Sequence, residues 1–276
     1  RRLFRGCSVT VFKSLTCDFL SRAISVLIKT ACVRSPAVPS PLVRHSRATR
    51  TPFRPTRSSP TNLPANTTRP APPRTRCPCA GLTAWRALVE LGNLQAGETV
   101  LVQGTGGVSI FALQLAKSMG AKVIATSSSD EKLKRLQDLG ADEVINYKDE
   151  PQWGKAVLAK TGGLGVDHVV EVGGGGTFGE SVRAVKLGGH IALIGVLSGP
   201  AVSEIILPRI FMKQIRLSGI AMGNQQSQLA MLSYLDSTNI RPIISDTFDL
   251  SELAAAFQHQ IDNKHFGKIS ISIDQD

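Results

Sequence analysis

The residues best placed to do chemistry are the glycines of Gly104-Thr105-Gly106-Gly107-Val108-Ser109. They follow the apolar, β-branched run Thr99-Val100-Leu101-Val102-Gln103 and lead into a helical pattern over 110–119, closed by Gly120. A glycine directly after a buried strand lets the chain reverse tightly. A second, Gly106, lets the backbone approach a pyrophosphate with no side chain between them. The helix that follows offers free N–H groups and the positive end of its dipole. The pattern is Gly-x-Gly-x-x-Ser, with Ser109 where Gly or Ala is usual. Alone, such a turn equally fits a ligand-free loop. A strand before it, a helix after it and a second strand about 20 residues on make it a dinucleotide fingerprint.

The choice of dinucleotide is read at the end of that second strand, Lys122-Val123-Ile124-Ala125-Thr126. NAD sites place Asp or Glu there to accept from the ribose 2′-OH. This chain has Ser127-Ser128-Ser129, whose hydroxyls donate to a phosphate without repelling it. Lys132, one helical turn on, supplies positive charge. The combination predicts NADPH over NADH. Asp130 and Glu131 read as first-turn helix residues favoured by the dipole. The competing reading of Lys132 is an ordinary solvated helix lysine.

The flanking pattern supplies the scaffold. Helices are expected at Thr83–Leu91, Ile110–Met119, Glu131–Leu139, around 152–160, at Phe178–Leu187 and at Phe248–Asn263. Strands are expected at Thr99–Gln103, Lys122–Thr126, Glu143–Asn146, Asp167–Val172, His190–Gly195, Ile215–Gly219 and Gly267–Ile273. Short apolar strands alternating with helices predict an α/β Rossmann fold. This is a doubly wound parallel sheet with helices on both faces and right-handed crossovers. Three parts are expected: a segment 1–78, a nucleotide-binding domain 79–245, and a C-terminal helix and strand 246–276.

The first part differs in texture. The net charge of +11 hints at nucleic acid, but residues 1–80 carry 15 Lys and Arg against Asp18 alone, a balance of +14. The remainder is at −3, so no nucleic-acid partner is expected of the folded part. Residues 34–78 are rich in Pro, Arg, Ser and Thr with no periodicity, and are expected to be disordered. Residues 1–33 leave three readings open: a mitochondrial presequence, a basic interaction tail, or a non-native reading frame. The cysteines Cys7, Cys17, Cys32, Cys77 and Cys79 all precede position 80, which suits a reducing compartment. Arg22 and Lys29 interrupt the most apolar N-terminal stretch, so no membrane span is expected. A cytoplasmic location is expected, or a mitochondrial one if the leader is genuine.

Several motifs in order resemble the medium-chain dehydrogenase/reductase superfamily, nearest its zinc-type alcohol dehydrogenase-like and NADPH:quinone reductase-like members with an enoyl-reductase domain. They are Cys79-Ala80-Gly81-Leu82-Thr83-Ala84-Trp85, the glycine turn, Ala125 to Leu133, Leu139-Gly140-Ala141-Asp142 and Ile145-Asn146-Tyr147. The resemblance covers residues 79–276. It implies that Gly104, Thr105, Gly106, Gly107 and Val108 line the pyrophosphate. It further implies that Ser127, Lys132 and Tyr147 hold the 2′-phosphate. Thr83, Gly173-Gly174 and Gly195-Val196 would flank the nicotinamide. Cys79 matches one zinc-ligand position. The family's N-terminal catalytic domain and its other zinc ligands have no counterpart in 1–78. One or two ligands cannot hold a catalytic zinc, so none is expected.

The expected function is NADPH-dependent hydride transfer to or from an alcohol or carbonyl, a quinone or an enal. The alternative is an NADPH-binding remnant without turnover, and a third reading is a basic-tailed interaction protein. The partner is a small-molecule substrate, and a homodimer is one open assembly. His168 and His190 read as structural, Asp167 as a backbone hydrogen-bonder, and Trp85 and Phe111 as core. The last strand, lacking its usual cover, is expected to leave an exposed edge.

Overall fold

The structure is a computed structural model that describes residues 78–201 and 207–272. The expectations for 1–77, disorder and leader included, lie outside the described residues. In chain order the elements are α1 (Pro78–Trp85), a π-helical turn (Arg86–Glu90), β1 (Thr99–Gln103), α2 (Gly107–Ser118), β2 (Lys122–Ser127), α3 (Asp130–Asp138), β3 (Glu143–Asn146) and α4 (Trp153–Lys160). They continue with β4 (Val166–Glu171), α5 (Phe178–Ala184), β5 (Val185–Leu193), α6 (Leu207–Met212), β6 (Arg216–Gly219), α7 (Gln225–Asp236), β7 (Ile244–Asp249), a 3-10 turn (Leu250–Glu252), α8 (Leu253–Ile261) and β8 (Lys268–Ser272).

Six strands form one sheet in the order β3-β2-β1-β4-β5-β6, every pair parallel. This is the doubly wound order, with its switch point between β1 and β4. Alternate residues face opposite cores. Val100, Val102, Val123, Ala125 and Val170 pack with Leu82, Leu88, Phe111, Leu113 and Met231 on one side. Leu101, Ile124, Val169 and Ile191 pack with Trp153, Val157, Phe178 and Val182 on the other. Burial on both faces is what the near-continuous apolar strands require. Trp85 and Phe111 are both in the core.

Three expected boundaries are corrected. The first helix starts at Pro78 rather than Thr83, so Cys79 to Trp85 is helical. The helix expected over Phe178–Leu187 stops at Ala184, and β5 begins at Val185. The Lys213 ammonium caps that helix end by donating to the carbonyls of Val182, Arg183 and Val185 at 3.1, 2.8 and 2.7 Å. Burial, with Arg209 and Arg183 nearby, lowers the Lys213 pKa. The helix expected from Phe248 begins only at Leu253, because Phe248 and Asp249 belong to β7. β7 pairs in parallel with β8 in a two-stranded sheet, so the last strand has a partner along one edge. Helices α6 and α7 and strand β7 were not anticipated from the pattern.

Candidate cofactor site

All six parallel strands end at the same edge of the sheet, where the glycine turn, the end of β2 and the loops after β4 and β5 lie. Gly104 has φ +69° and bonds its N–H to the Thr126 carbonyl at 2.8 Å. The left-handed backbone is why glycine stands there. A Cβ on Gly104 or Gly106 would meet nothing within 4 Å, so the outer side of the turn is open. Gly107 is the first helical residue of α2, and open backbone at a helix N-terminus fits a diphosphate. Val108 and Thr105 flank it, half-buried and buried respectively. Ser109 is buried and donates to the Gln103 carbonyl at 2.6 Å, which braces the turn from beneath.

The second site region is at the end of β2. Ser127 is its last residue, buried, and its hydroxyl accepts from the Ser129 N–H at 3.4 Å. Ser128 is half-buried. Ser129 is the N-cap of α3 and accepts from the Lys132 N–H. Asp130 and Glu131 do occupy the first turn, and Asp130 accepts from the Asn146 amide at 2.8 Å. Tyr147 is exposed, beside Ser127 through its N–H bond to the Ser127 carbonyl at 3.0 Å. The Lys132 ammonium donates to the carbonyls of Asn263 and His265, at 2.5 and 2.9 Å. Burial lowers its pKa first, Arg135 adds to this, and Glu131 opposes it. Lys132 is therefore tied to the C-terminal segment rather than solvated, with one N–H of three left over.

The third region, after β4 and β5, holds a group the sequence reading missed. Glu171, at the end of β4, is fully buried. Its Oε1 accepts from the N–H groups of Gly173 and Gly174, at 2.8 and 2.9 Å, and from the Thr177 hydroxyl. Its Oε2 accepts from Gln103 Nε2 at 2.8 Å and from the Ser181 hydroxyl. Gln103 Nε2 also donates to Ser181 Oγ at 2.7 Å. Its Oε1 accepts weakly from Val172 and Gly173. Five donors stabilise a buried carboxylate through charge-assisted bonds, and the hub ties β1 to β4 across the switch point. The loops are also fastened to each other. Ser198 donates its N–H to the Gly173 carbonyl at 2.7 Å, and Gly175 donates to Gly199 at 2.8 Å. A Cβ on Gly195 would stand 2.3 Å from the Val172 carbonyl, and one on Gly174 2.8 Å from the Gly199 carbonyl. These glycines are required by the approach of the two loops. Val196 is exposed above them.

Thr83 is buried, and its hydroxyl donates to the Cys79 carbonyl at 2.7 Å. Cys79 is a free, half-buried thiol. Among the described residues no cluster of three His, Cys, Asp or Glu could hold a metal. Nor is any helix among them long and apolar enough to cross a membrane. At the opposite edge of the sheet, Asp167 accepts from the Thr99 N–H at 2.8 Å, as its backbone role required. His168 and His190 are buried register partners, with ring centroids 5.8 Å apart.

With this geometry in view, the comparisons with known proteins are specific. Residues 107–237 match the zinc-binding dehydrogenase family model. A zinc-type alcohol dehydrogenase-like protein of Schizosaccharomyces pombe is 38% identical over 71% of this chain and 58% of its own length. The crystal structure of an NAD-dependent alcohol dehydrogenase matches with TM-score 0.67 and 33% identity, over 71% of this chain and 57% of that one. A mycobacterial protein complexed with NADPH matches with TM-score 0.63 and 29% identity, over 70% and 63%. The chain belongs to the medium-chain dehydrogenase/reductase superfamily and carries its nucleotide-binding domain. It spans about three fifths of the length of these relatives.

Proposed function

We propose that this domain holds NADPH for hydride transfer to or from an alcohol or carbonyl, a quinone or an enal. The carrying observation is the convergence at one sheet edge of an open glycine turn, a Ser127-Ser128 strand end with no acidic residue, and the paired loops at Gly173-Gly174 and Gly195-Val196. The pyrophosphate would lie against Gly104, Thr105, Gly106, Gly107 and Val108, with Ser109 bracing the turn. The 2′-phosphate would be met by Ser127, Ser128 and Tyr147, with Lys132 supplying charge from its tie to the C-terminal segment. The nicotinamide ring would lie toward Thr83 and the two glycine loops. When bound, the cofactor supplies the hydride, and these residues fix where it is presented.

Zinc is not part of the proposal, because one or two cysteine ligands do not hold a catalytic zinc. A small-molecule substrate and a homodimer complete the reading. The second reading is NADPH binding without turnover. Titration of the chain with NADPH and NADH, paired with NADPH oxidation on quinones, enals and aldehydes, separates them. NADPH binding with oxidation supports the first reading, and binding alone supports the second. Tighter NADH than NADPH binding refutes the cofactor choice.

A further inference from the structure

We propose that Gln103 and Glu171 act together as positioning residues of the cofactor site, by setting the separation between the glycine turn and the loop at Gly173-Gly174. The proposal rests on the nucleotide-binding reading above and extends it to two buried side chains that touch no ligand themselves. A dinucleotide spans both regions at once. Its affinity therefore depends on their spacing as well as on each region alone.

The bonding of one residue carries it. Gln103 is the last residue of β1, one step past the Val102–Val170 pair, and Glu171 is the last residue of β4. The backbone of Gln103 belongs to the turn, because its carbonyl accepts from the Ser109 hydroxyl at 2.6 Å. Its side chain belongs to the loop. Nε2 donates to Glu171 Oε2 at 2.8 Å, and Oε1 accepts from the N–H groups of Val172 and Gly173 at 3.3 and 3.4 Å. Nε2 also donates to Ser181 Oγ at 2.7 Å, so α5 fixes the amide from a third side. Glu171 completes the link, since its Oε1 holds Gly173 and Gly174 at 2.8 and 2.9 Å.

The link has a chemical direction. A carboxylate only accepts, and Glu171 faces donors on both oxygens. An amide both donates and accepts, and Gln103 turns its nitrogen to the carboxylate and its oxygen to the loop N–H groups. Exchanging one residue for the other type sets donor against donor, or carboxylate against carboxylate. Exchanging both restores every pair with the roles reversed, and the Ser181 hydroxyl, able to donate or accept, serves either arrangement. Both side chains are buried, where charge-assisted bonds hold their geometry firmly. The loop is thereby set before a nucleotide arrives, and its ordering does not weaken binding.

The test separates ligands that span the two regions from ligands that do not. The 276-residue chain, its Glu171→Gln and Gln103→Glu variants and the double variant are titrated with NADPH and with adenosine 2′,5′-bisphosphate, which lacks the nicotinamide half. Each single variant is expected to weaken NADPH about tenfold, the scale of ordering a loop at the moment of binding. Adenosine 2′,5′-bisphosphate should bind unchanged. The double variant should regain most of the NADPH affinity, which a simple loss of packing would not allow. In the unmodified chain, where folding is not in question, the amides of Gly173 and Gly174 should exchange hydrogen slowly before any nucleotide is added. Exchange there at the rate of an unstructured peptide overturns the proposal. So does a folded Glu171→Gln variant that keeps full NADPH affinity, weakens for both ligands equally, or gains nothing from the added Gln103→Glu. An unmodified chain that binds neither ligand, yet exchanges those amides slowly, overturns the nucleotide-binding reading and the proposal with it.

Discussion

Two residues carry sharp expectations through single atoms. Ser127 closes β2 where a ribose would lie. Ser127→Asp places a carboxylate there, able to accept from a 2′-OH and to repel a 2′-phosphate. NADPH affinity should fall at least about tenfold and NADH affinity should rise, an inversion read by titration of both; unchanged selectivity would remove Ser127 from the site. His190 lies at the other end of the sheet. Neither of its ring nitrogens has a partner among the described residues. Burial, then the neighbouring His168 and Arg216, lowers its pKa from 6.5 to about 4. The folded state therefore refuses a proton that the unfolded chain accepts. Stability is full above pH 6.5, is lost as the pH falls toward 4, and levels off below. At ~1.4 kcal/mol per unit this is about 3 kcal/mol. Denaturant midpoints at pH 7.5 and 4.5 should differ less in His190→Phe than in the parent, and equal acid sensitivity would show that His190 does not set it.

At the scale of elements, Glu171 joins β1 to the loop after β4. Glu171→Ala leaves the donors of Gly173, Gly174, Thr177, Ser181 and Gln103 short of an acceptor. It should cost about 3 kcal/mol or more by chemical unfolding. Glu171→Gln keeps one acceptor oxygen for the loop N–H groups and should cost roughly 1 kcal/mol. A full loss in both variants would mean that charge, not shape, dominates. None of this was legible in the sequence, because Gln103 and Ser181 stand 68 and 10 residues from Glu171. What was legible shared one property, a local signal. β1 and β3 match their apolar runs residue for residue, and the glycine turn announces itself. β5 begins unannounced at Val185, because Leu187, Gly188 and Gly189 form no apolar run. The Val166–Val185 pairing makes it a strand. α7 was invisible because only Ser227 and Met231 are buried on it.

At the scale of the whole molecule, the sheet has two outer edges of different character. β3 carries the Lys160–Glu143 ion pair beside its edge, with both side chains partly exposed. β6 is the last strand in the order, and among the described residues no strand pairs with its outer side. Around it Leu217 is 41% exposed, Leu187 66%, Phe211 64% and Met212 71%. An unpaired edge flanked by large apolar side chains is a liability for a monomer. A second copy of the same strand, related by a two-fold axis, would pair with its outer N–H and C=O groups in antiparallel fashion and would cover those side chains. The chain should therefore sediment at twice its 29.5 kDa. Leu217→Lys should shift it to the monomer without lowering affinity for NADPH, because the turn at Gly104 and the loop at Gly173 lie across β1 and β4, inside the sheet. A monomeric parent chain would refute the pairing. A Leu217→Lys monomer that also lost NADPH would show that the edge and the cofactor site are coupled, against the independence that the sheet order implies.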